Sequence, residues 1–184
     1  MLKACIKGLI RTRFFFTSRK KATLTIQRSL EQYQQLGDEL GSVLGRKPSR
    51  VPKLLGVDED MRDWSFFMIL EHNVIVNRLM TLIVKSLAHN EIPQNLPVKD
   101  SKKDVMPSAD PGPEQMTAFC QSVEAYLVSL ETLGKLRGTP RYHHPVFGML
   151  NAHGWHCMMA LHLEIHIPQA KCVLEELKSE SLTD

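Results

Sequence analysis

The residues with the clearest chemical potential in this 184-residue chain are its eight histidines. His162 and His166 are four residues apart in a stretch with helical apolar spacing, so they lie about 40° apart around the helix axis, one turn from each other. Both lie near the angle of Trp155, which belongs to the apolar side of that stretch. Two imidazoles on one inward face can bind a single divalent metal ion. Because such a pair often arises by chance, the prediction needs a third ligand.

His72 is the candidate for that third ligand. Apolar residues stand three and four positions before and after it, at Met68, Ile69, Ile75 and Val76. It therefore points inward on its own helix. One inward histidine is usually hydrogen-bonded within a core, but three would each need a separate buried partner. The sequence thus predicts a divalent-metal site formed by His72, His162 and His166.

The other histidines are weaker candidates. His143 and His144 lie in a proline-rich loop before the last helical stretch, where a surface position and a place at the open end of the site are both compatible with the sequence. His153 and His156 fall in the first turns of that stretch and are expected to be exposed or to cap it. The candidates for lining a pocket are His144, Tyr142 and Trp155, although Trp155 also stands at a core position.

The closing part of the chain resembles a known family. It runs HHPVFGML at residues 143–150, then Trp155, then the pair His162 and His166, then Gln169. This order is similar to the closing segment of DinB-like proteins (the DinB/YfiT-like superfamily), and closest to a branch described only as a domain of unknown function. Upstream, Trp64-Ser65 with Glu71-His72 is similar to the family's Trp before the helix that carries the first metal-ligating histidine. The resemblance covers about residues 22–177.

The resemblance implies an up-down-down-up four-helix bundle, often a homodimer, that holds zinc or nickel through His72, His162 and His166. Characterised members of the wider superfamily include thiol-dependent transferases and isomerases. The implied partner is therefore a small-molecule substrate, with a low-molecular-weight thiol as one candidate. Pro168 departs from the family's pattern, and a bend there would displace the ligand His166 from its usual place.

Three neutral imidazoles leave at least one coordination position open, which is typical of catalytic rather than structural metal sites. A metal ion there would activate water for hydrolysis or deprotonate a thiol for S-transfer. No catalytic residue is assigned, because Glu71 and Glu164 are close to ligands in sequence but are turned from them by roughly 100° or more around the helix. The alternative is a non-catalytic helical bundle with a structural or degenerate metal site. Nucleophile-elbow, P-loop and dinucleotide motifs are absent.

The elements that must position these residues are helices, because the apolar spacing is helical throughout. Four helices are predicted, at 23–44, 63–89, 114–136 and 151–178. Asp63 is the predicted N-cap of the second, and Pro168 is expected to bend the fourth. The proline-rich connection at 90–113 is interpreted as filler or, alternatively, as a lid. One all-α four-helix bundle is the simplest arrangement.

The charge of the chain is divided unevenly. Residues 1–28 carry eight basic side chains and no acid, whereas the other 156 carry 15 basic and 20 acidic side chains, so the formal charges are +8 and −5. A nucleic-acid-binding domain would carry its positive charge on the folded part, so nucleic acid is excluded as an expected partner. Residues 1–21 are predicted to be a basic N-terminal extension of a domain at 22–184.

The location of the protein depends on that extension. Its composition is typical of a frayed extension, of an organellar transit peptide, or of a membrane-surface helix anchored by Phe14, Phe15 and Phe16. No uncharged apolar run reaches the ~18–20 residues of a transmembrane segment. The four cysteines have irregular spacing that fits neither a disulfide framework nor a zinc ribbon. A cytoplasmic location is expected, or an organellar one if residues 1–21 are a transit peptide.

Overall fold

The structure, a computed structural model, describes residues 2–94, 96 and 102–181, with side chains for 8–94, 96 and 102–180. The chain is mostly helical, in agreement with the predicted all-α class, and it adds a small two-stranded sheet. The elements in chain order are α1 (Leu2–Phe16), α2 (Arg19–Leu44), a 3-10 turn (Glu59–Met61), α3 (Phe66–Ala88), α4 (Glu114–Thr132), β1 (Arg141–His144), β2 (Gly148–Asn151) and α5 (Ala152–Ser181).

Helices α2 and α3 each pack against both α4 and α5. A single apolar core fills the space between them, with one fully buried large side chain from each helix at its centre: Tyr33, Phe66, Phe119 and Met159. By length and composition α3 is apolar enough to cross a membrane, and 61% of that stretch is buried inside the fold. It packs against both α4 and α5, and His72 is one of its buried residues.

Several helix ends differ from the predicted ones, including the start of α2 at Arg19 rather than 23 and the end of α5 at Ser181 rather than 178. Ser65, not Asp63, is the N-cap of α3, because its Oγ accepts the Met68 N–H at 3.2 Å. Asp63 instead accepts from Arg50 at 2.6 Å. Helix α4 ends at Thr132 rather than 136, where Arg19 donates to carbonyl groups of its last turn and of the residues that follow.

The sheet is a hairpin that the sequence analysis did not predict. Its strands are antiparallel, with Tyr142 opposite Leu150 and His144 opposite Gly148. Gly148 has φ 74°, a left-handed conformation that glycine adopts without strain and that closes short hairpin loops. Strands of four residues are too short for an alternating apolar pattern to stand out, so the glycines and prolines of this stretch indicated only a loop.

The N-terminal segment requires a correction. Residues 1–21 were predicted to lie outside the domain, yet α1 packs on α5 and Phe14 is buried in the core against Phe147, with ring centroids 6.1 Å apart. Arg13 also pairs with Glu164 of α5 at 2.7 Å. A boundary at residue 21 or 22 therefore does not separate a folded domain from an extension outside it. The sequence did not indicate this, because the basic residues of α1 obscure the apolar side that packs on α5.

Pro168 lies inside α5, which runs as one helix from Ala152 to Ser181. The proline ring is exposed, so it faces away from the core that contains His166. The proline therefore does not separate His162 from His166, whose ring centroids lie 4.9 Å apart.

Candidate metal centre

The structure brings His72 of α3 together with His162 and His166 of α5. The three ring centroids are 4.9 to 5.1 Å apart, and one ring nitrogen of each residue lies within 4.8 Å of the other two. His72 and His166 are buried and His162 is partly covered. This histidine triad (His72, His162 and His166) could hold a metal ion, and the three residues are those that the helical spacing singled out.

His72 is oriented by the connection between α3 and α4. Its Nδ1 lies 2.7 Å from the Val105 carbonyl oxygen, and because a carbonyl only accepts, Nδ1 must carry the proton. The neutral ring therefore has its lone pair on Nε2, and that atom is buried without a hydrogen-bond partner. Trp64 packs beside the ring at a centroid distance of 5.2 Å. His72 thus presents a fixed, unoccupied acceptor.

His166 is oriented in the same way by Gln169. The Gln169 Nε2 donates to the Met61 carbonyl at 2.6 Å, which leaves the Gln169 Oε1 to face His166 Nδ1 at 2.8 Å. Since Oε1 only accepts, His166 Nδ1 carries the proton and Nε2 holds the lone pair. Metal-ligating histidines usually have such a partner on the second ring nitrogen. The two hydrogen bonds that link the Met61 carbonyl, Gln169 and His166 fix both the tautomer and the ring angle of His166.

His162 completes the group with another unpartnered nitrogen. In the described part of the chain four buried side-chain polar atoms lack a hydrogen bond, and two of them are the Nε2 atoms of His72 and His162. A buried polar atom without a partner costs about 1–3 kcal/mol. Native cores rarely contain two so close together unless an ion or water satisfies them. The donor set and its missing partners therefore fit a metal ion.

The electrostatics keep the triad neutral. Burial, reinforced by the neighbouring His72, lowers the pKa of His166 to about 3. Burial also lowers the pKa of His72, against the opposing effect of its hydrogen bond to Val105. The pKa of His162 falls well below its usual value, first through burial and then through the other histidines nearby. Neutral imidazole is the form that binds metal, so the site is ready for a cation near neutral pH.

The two carboxylates nearest the ligands in sequence are engaged elsewhere. Glu71 accepts from the backbone N–H and the hydroxyl of Ser108, at 2.8 and 2.7 Å. Glu164 pairs with Arg13. Both observations agree with the expectation that neither residue is a general base facing the metal. Glu71 instead ties down the same connection that supplies the Val105 carbonyl to His72.

That connection was interpreted as filler, and its described part has a larger role. Val105 is buried, and Val105 and Ser108 both contact the α3 turn that contains His72. A backbone carbonyl leaves no signal in the sequence, so the partner of His72 was missed. The partner of His166 was visible, because Gln169 is three residues further on and therefore on the same helix face.

The predicted pocket residues Tyr142, His144 and Trp155 lie together as packed side chains. Trp155 is buried and its Nε1 donates to the Tyr142 carbonyl at 3.4 Å. The His144 ring lies 5.0 Å from that of Trp155. His144 Nδ1 accepts the backbone N–H groups of Val146 and Phe147 at 3.1 and 3.3 Å, so its Nε2 carries the proton. His144 contributes to the lowered pKa of His162, but it is not one of the three histidines whose ring nitrogens converge.

His153 and His156 were expected to be exposed or capping, and this is wrong because both are buried. His156 Nδ1 lies 2.8 Å from the Tyr126 hydroxyl and its Nε2 lies 3.2 Å from the Arg19 carbonyl. These bonds join α5 to α4 and α2. Apolar spacing could not reveal them, because a buried histidine needs partners that only the tertiary fold supplies.

Cys157 lies beside His153, but the two residues do not form a reactive thiol–imidazole pair. Its Sγ is 3.5 Å from His153 Nε2, but that nitrogen also lies 2.9 Å from the Thr17 carbonyl oxygen and 2.9 Å from the Arg137 guanidinium, so other groups already engage it. Burial raises the pKa of the Cys157 thiol to about 12. The thiol therefore stays protonated at neutral pH, which is typical of an inert core cysteine.

Comparison of the chain with protein-family models, with curated proteins and with solved structures gives no match. No function carries over to it from a named relative. What the chain does must be inferred from the histidine triad and its surroundings.

Proposed function

We propose that this protein is a divalent-metal-binding member of the DinB-like superfamily. In this proposal α2, α3, α4 and α5 form the four-helix bundle of that family, and His72, His162 and His166 bind one transition-metal ion. The pairwise packing of the four helices around one core supports the bundle. The order of the resembling motifs along the chain supports the family.

One observation carries the metal proposal: the buried, unpartnered Nε2 atoms of His72 and His162 lie beside a third histidine whose tautomer Gln169 fixes. A bound cation would accept a lone pair from each ring and remove the cost of leaving them unpaired. Imidazole nitrogens without a thiolate suit zinc, nickel, copper and iron. The resemblance to DinB-like proteins favours zinc or nickel among these, and we propose one of these two ions.

The reaction class we favour is S-transfer from a small thiol, with hydrolysis as the second choice. A bound metal ion would supply Lewis acidity and lower the pKa of a thiol or water molecule. Hydrolysis benefits from a carboxylate base, and Glu71 and Glu164 are both engaged elsewhere. The residues of the chain would orient the ligands through Val105 and Gln169, and His144 would offer a donor at the edge of the site.

A non-catalytic bundle with a structural or degenerate site is the second candidate, and one observation favours it. Five surface cavities of the described chain are lined by other residues, and no triad histidine lines any of these five. A substrate would need access to the partly covered ring of His162. The two candidates share the metal ion and differ in whether a substrate reaches it.

Metal analysis of the untagged full-length protein tests the shared premise. Wild-type protein should hold about one equivalent of zinc or nickel, either as purified or after reconstitution, because a folded ligand set retains its ion. His162→Ala should lose it. Two controls should retain it: His143→Ala, which removes an exposed histidine, and His156→Gln, which alters a buried histidine outside the triad. Absence of metal from reconstituted wild-type protein would refute the proposal.

Activity then separates the two candidates. Wild-type, His162→Ala and His143→Ala proteins would each be incubated with the metal ion. They would then be compared in a panel of assays for thiol transfer to small electrophiles and for small-molecule hydrolysis. Thiol transfer that disappears only in His162→Ala would support the enzyme. Metal binding with no activity on the whole panel would favour the structural site and overturn the transferase.

A further inference from the structure

Helix α1 has two apolar sides, and only one of them is covered. Phe14 points into the core, whereas the outer face of α1, formed by Leu9, Phe15 and Phe16, is exposed. The exposed fractions of these three side chains are 71%, 67% and 78%. A surface helix ordinarily places polar residues on its outer side, so this face is unusual for a helix exposed only to water.

The outer face adjoins a basic cleft between α1 and the hairpin. Arg11, Arg137 and Arg141 line this cleft together with Phe15 and Met149, and its volume is about 140 Å³. None of its ten lining residues is acidic. Three guanidinium groups and an exposed aromatic side chain thus share one side of the molecule.

The surface is fixed in place by the fold. Arg137 donates to the Phe15 and Thr17 carbonyls at 2.8 and 3.1 Å, and its guanidinium lies 5.7 Å from the centre of the Phe15 ring. Phe14 anchors the other side of the helix against Phe147. The aromatic side chains of α1 are therefore presented by a packed helix.

The positive charge of this surface favours an anionic membrane over a second copy of the chain as its partner. A second copy related by two-fold symmetry would bring the same arginines face to face, because both subunits of such an interface use one patch. An anionic membrane surface offers phosphate groups for the arginines and an acyl boundary for the phenylalanines. We infer that the outer face of α1 and the arginine cleft together bind the surface of an anionic lipid membrane. This inference is independent of the metal site.

Vesicle co-sedimentation of the full-length protein tests the inference. Phosphatidylcholine vesicles with and without phosphatidylserine would be compared for the wild type and for the double variant Phe15→Ser and Phe16→Ser. Wild-type protein should bind only the anionic vesicles, and the variant should bind about tenfold more weakly because the inserted apolar area is lost. The matched control is Val43→Ser with Val128→Ser, two exposed apolar side chains on other helices, which should leave binding unchanged.

A second pair of variants tests the charge. Arg11→Gln with Arg141→Gln should weaken binding about fivefold for each charge removed, and added salt should weaken binding of the wild type. Lys85→Gln with Lys171→Gln, which removes the same charge from other exposed positions, should have little effect. Circular dichroism would verify that every variant is folded.

Four results would overturn the inference. One is equal binding by the wild type and the Phe15/Phe16 variant, and another is wild-type binding that does not depend on phosphatidylserine. The third is a concentration-dependent dimer in analytical ultracentrifugation that the Phe15/Phe16 variant abolishes, since this would assign the face to a second copy. The fourth is binding of the wild-type protein to single-stranded nucleic acid but not to vesicles, since this would assign the surface to another polyanion.

Discussion

Replacement of Gln169 by leucine tests how the fold prepares His166 for a metal ion. Gln169 is fully buried and bridges the Met61 carbonyl and the His166 Nδ1–H through its two amide atoms. Leucine has a similar volume and can make neither bond. Gln169→Leu therefore removes the group that holds the ring angle and tautomer while leaving all three ligands present.

The magnitude follows from the bonds that are lost. Two polar groups lose their partner. The His166 Nδ1–H is buried and the loss of its acceptor costs about 1–3 kcal/mol of folding free energy, whereas the loss at the partly buried Met61 carbonyl costs less. Loss of such a partner of a metal ligand typically weakens metal binding about 10- to 100-fold, which is about 1.4–2.7 kcal/mol. Gln169→Glu keeps an acceptor for the His166 Nδ1–H, so its metal affinity should remain close to that of the wild type.

The assay is a competition titration of zinc between the protein and a chromogenic chelator, with unfolding in urea measured in parallel. Asn77→Leu is the matched control, because Asn77 is also a fully buried amide and is hydrogen-bonded to Ser122 at 3.0 Å, away from the triad. It should lower stability and leave zinc affinity unchanged. A folded Gln169→Leu protein whose zinc affinity is within about twofold of the wild type would refute the reasoning.

Three further predictions concern buried groups outside the metal centre. Burial lowers the pKa of His156 to about 4, so the folded state stays neutral while the unfolded histidine gains a proton below pH ~6.5, and stability falls by about 1.4 kcal/mol per pH unit towards pH ~4. His156→Gln should make the decline of urea stability between pH 7 and pH 5 shallower, and an unchanged slope would contradict the neutral assignment. Tyr33→Phe removes a hydroxyl that donates to the Leu163 carbonyl and accepts from Asn73; it should cost about 1–3 kcal/mol in urea unfolding, and no loss would count against these bonds. Cys157 should resist iodoacetamide at pH ~8 until the protein unfolds, as read by mass spectrometry, whereas rapid native alkylation would show that the thiol is activated.

The sequence was most informative about residues that lie on the same helix, because helical periodicity fixes their relative positions. His162 and His166 share a face because residues four apart always do, and the apolar neighbours of His72 placed it inward. The structure brings these three side chains together. Their convergence depends on the packing of α3 against α5. The apolar faces indicated that the helices pack together, but they did not specify which helices are neighbours.

The features that were missed depend on tertiary partners. The Val105 carbonyl reaches His72 through a connection whose path leaves no pattern in the sequence. Phe14 is buried because α5 and the hairpin supply a surface for it, and the basic charge of its neighbours suggested an extension. His156 looked like an exposed residue because its partners Tyr126 and Arg19 lie on other helices.

The most direct test of the central claim is an anomalous-difference map from crystals of the zinc-loaded protein, collected at the zinc edge. The account predicts one strong peak with the Nε2 atoms of His72, His162 and His166 about 2.0–2.1 Å from it. A map of the loaded protein with no peak between these three rings, or with its peak at other side chains, would contradict the account.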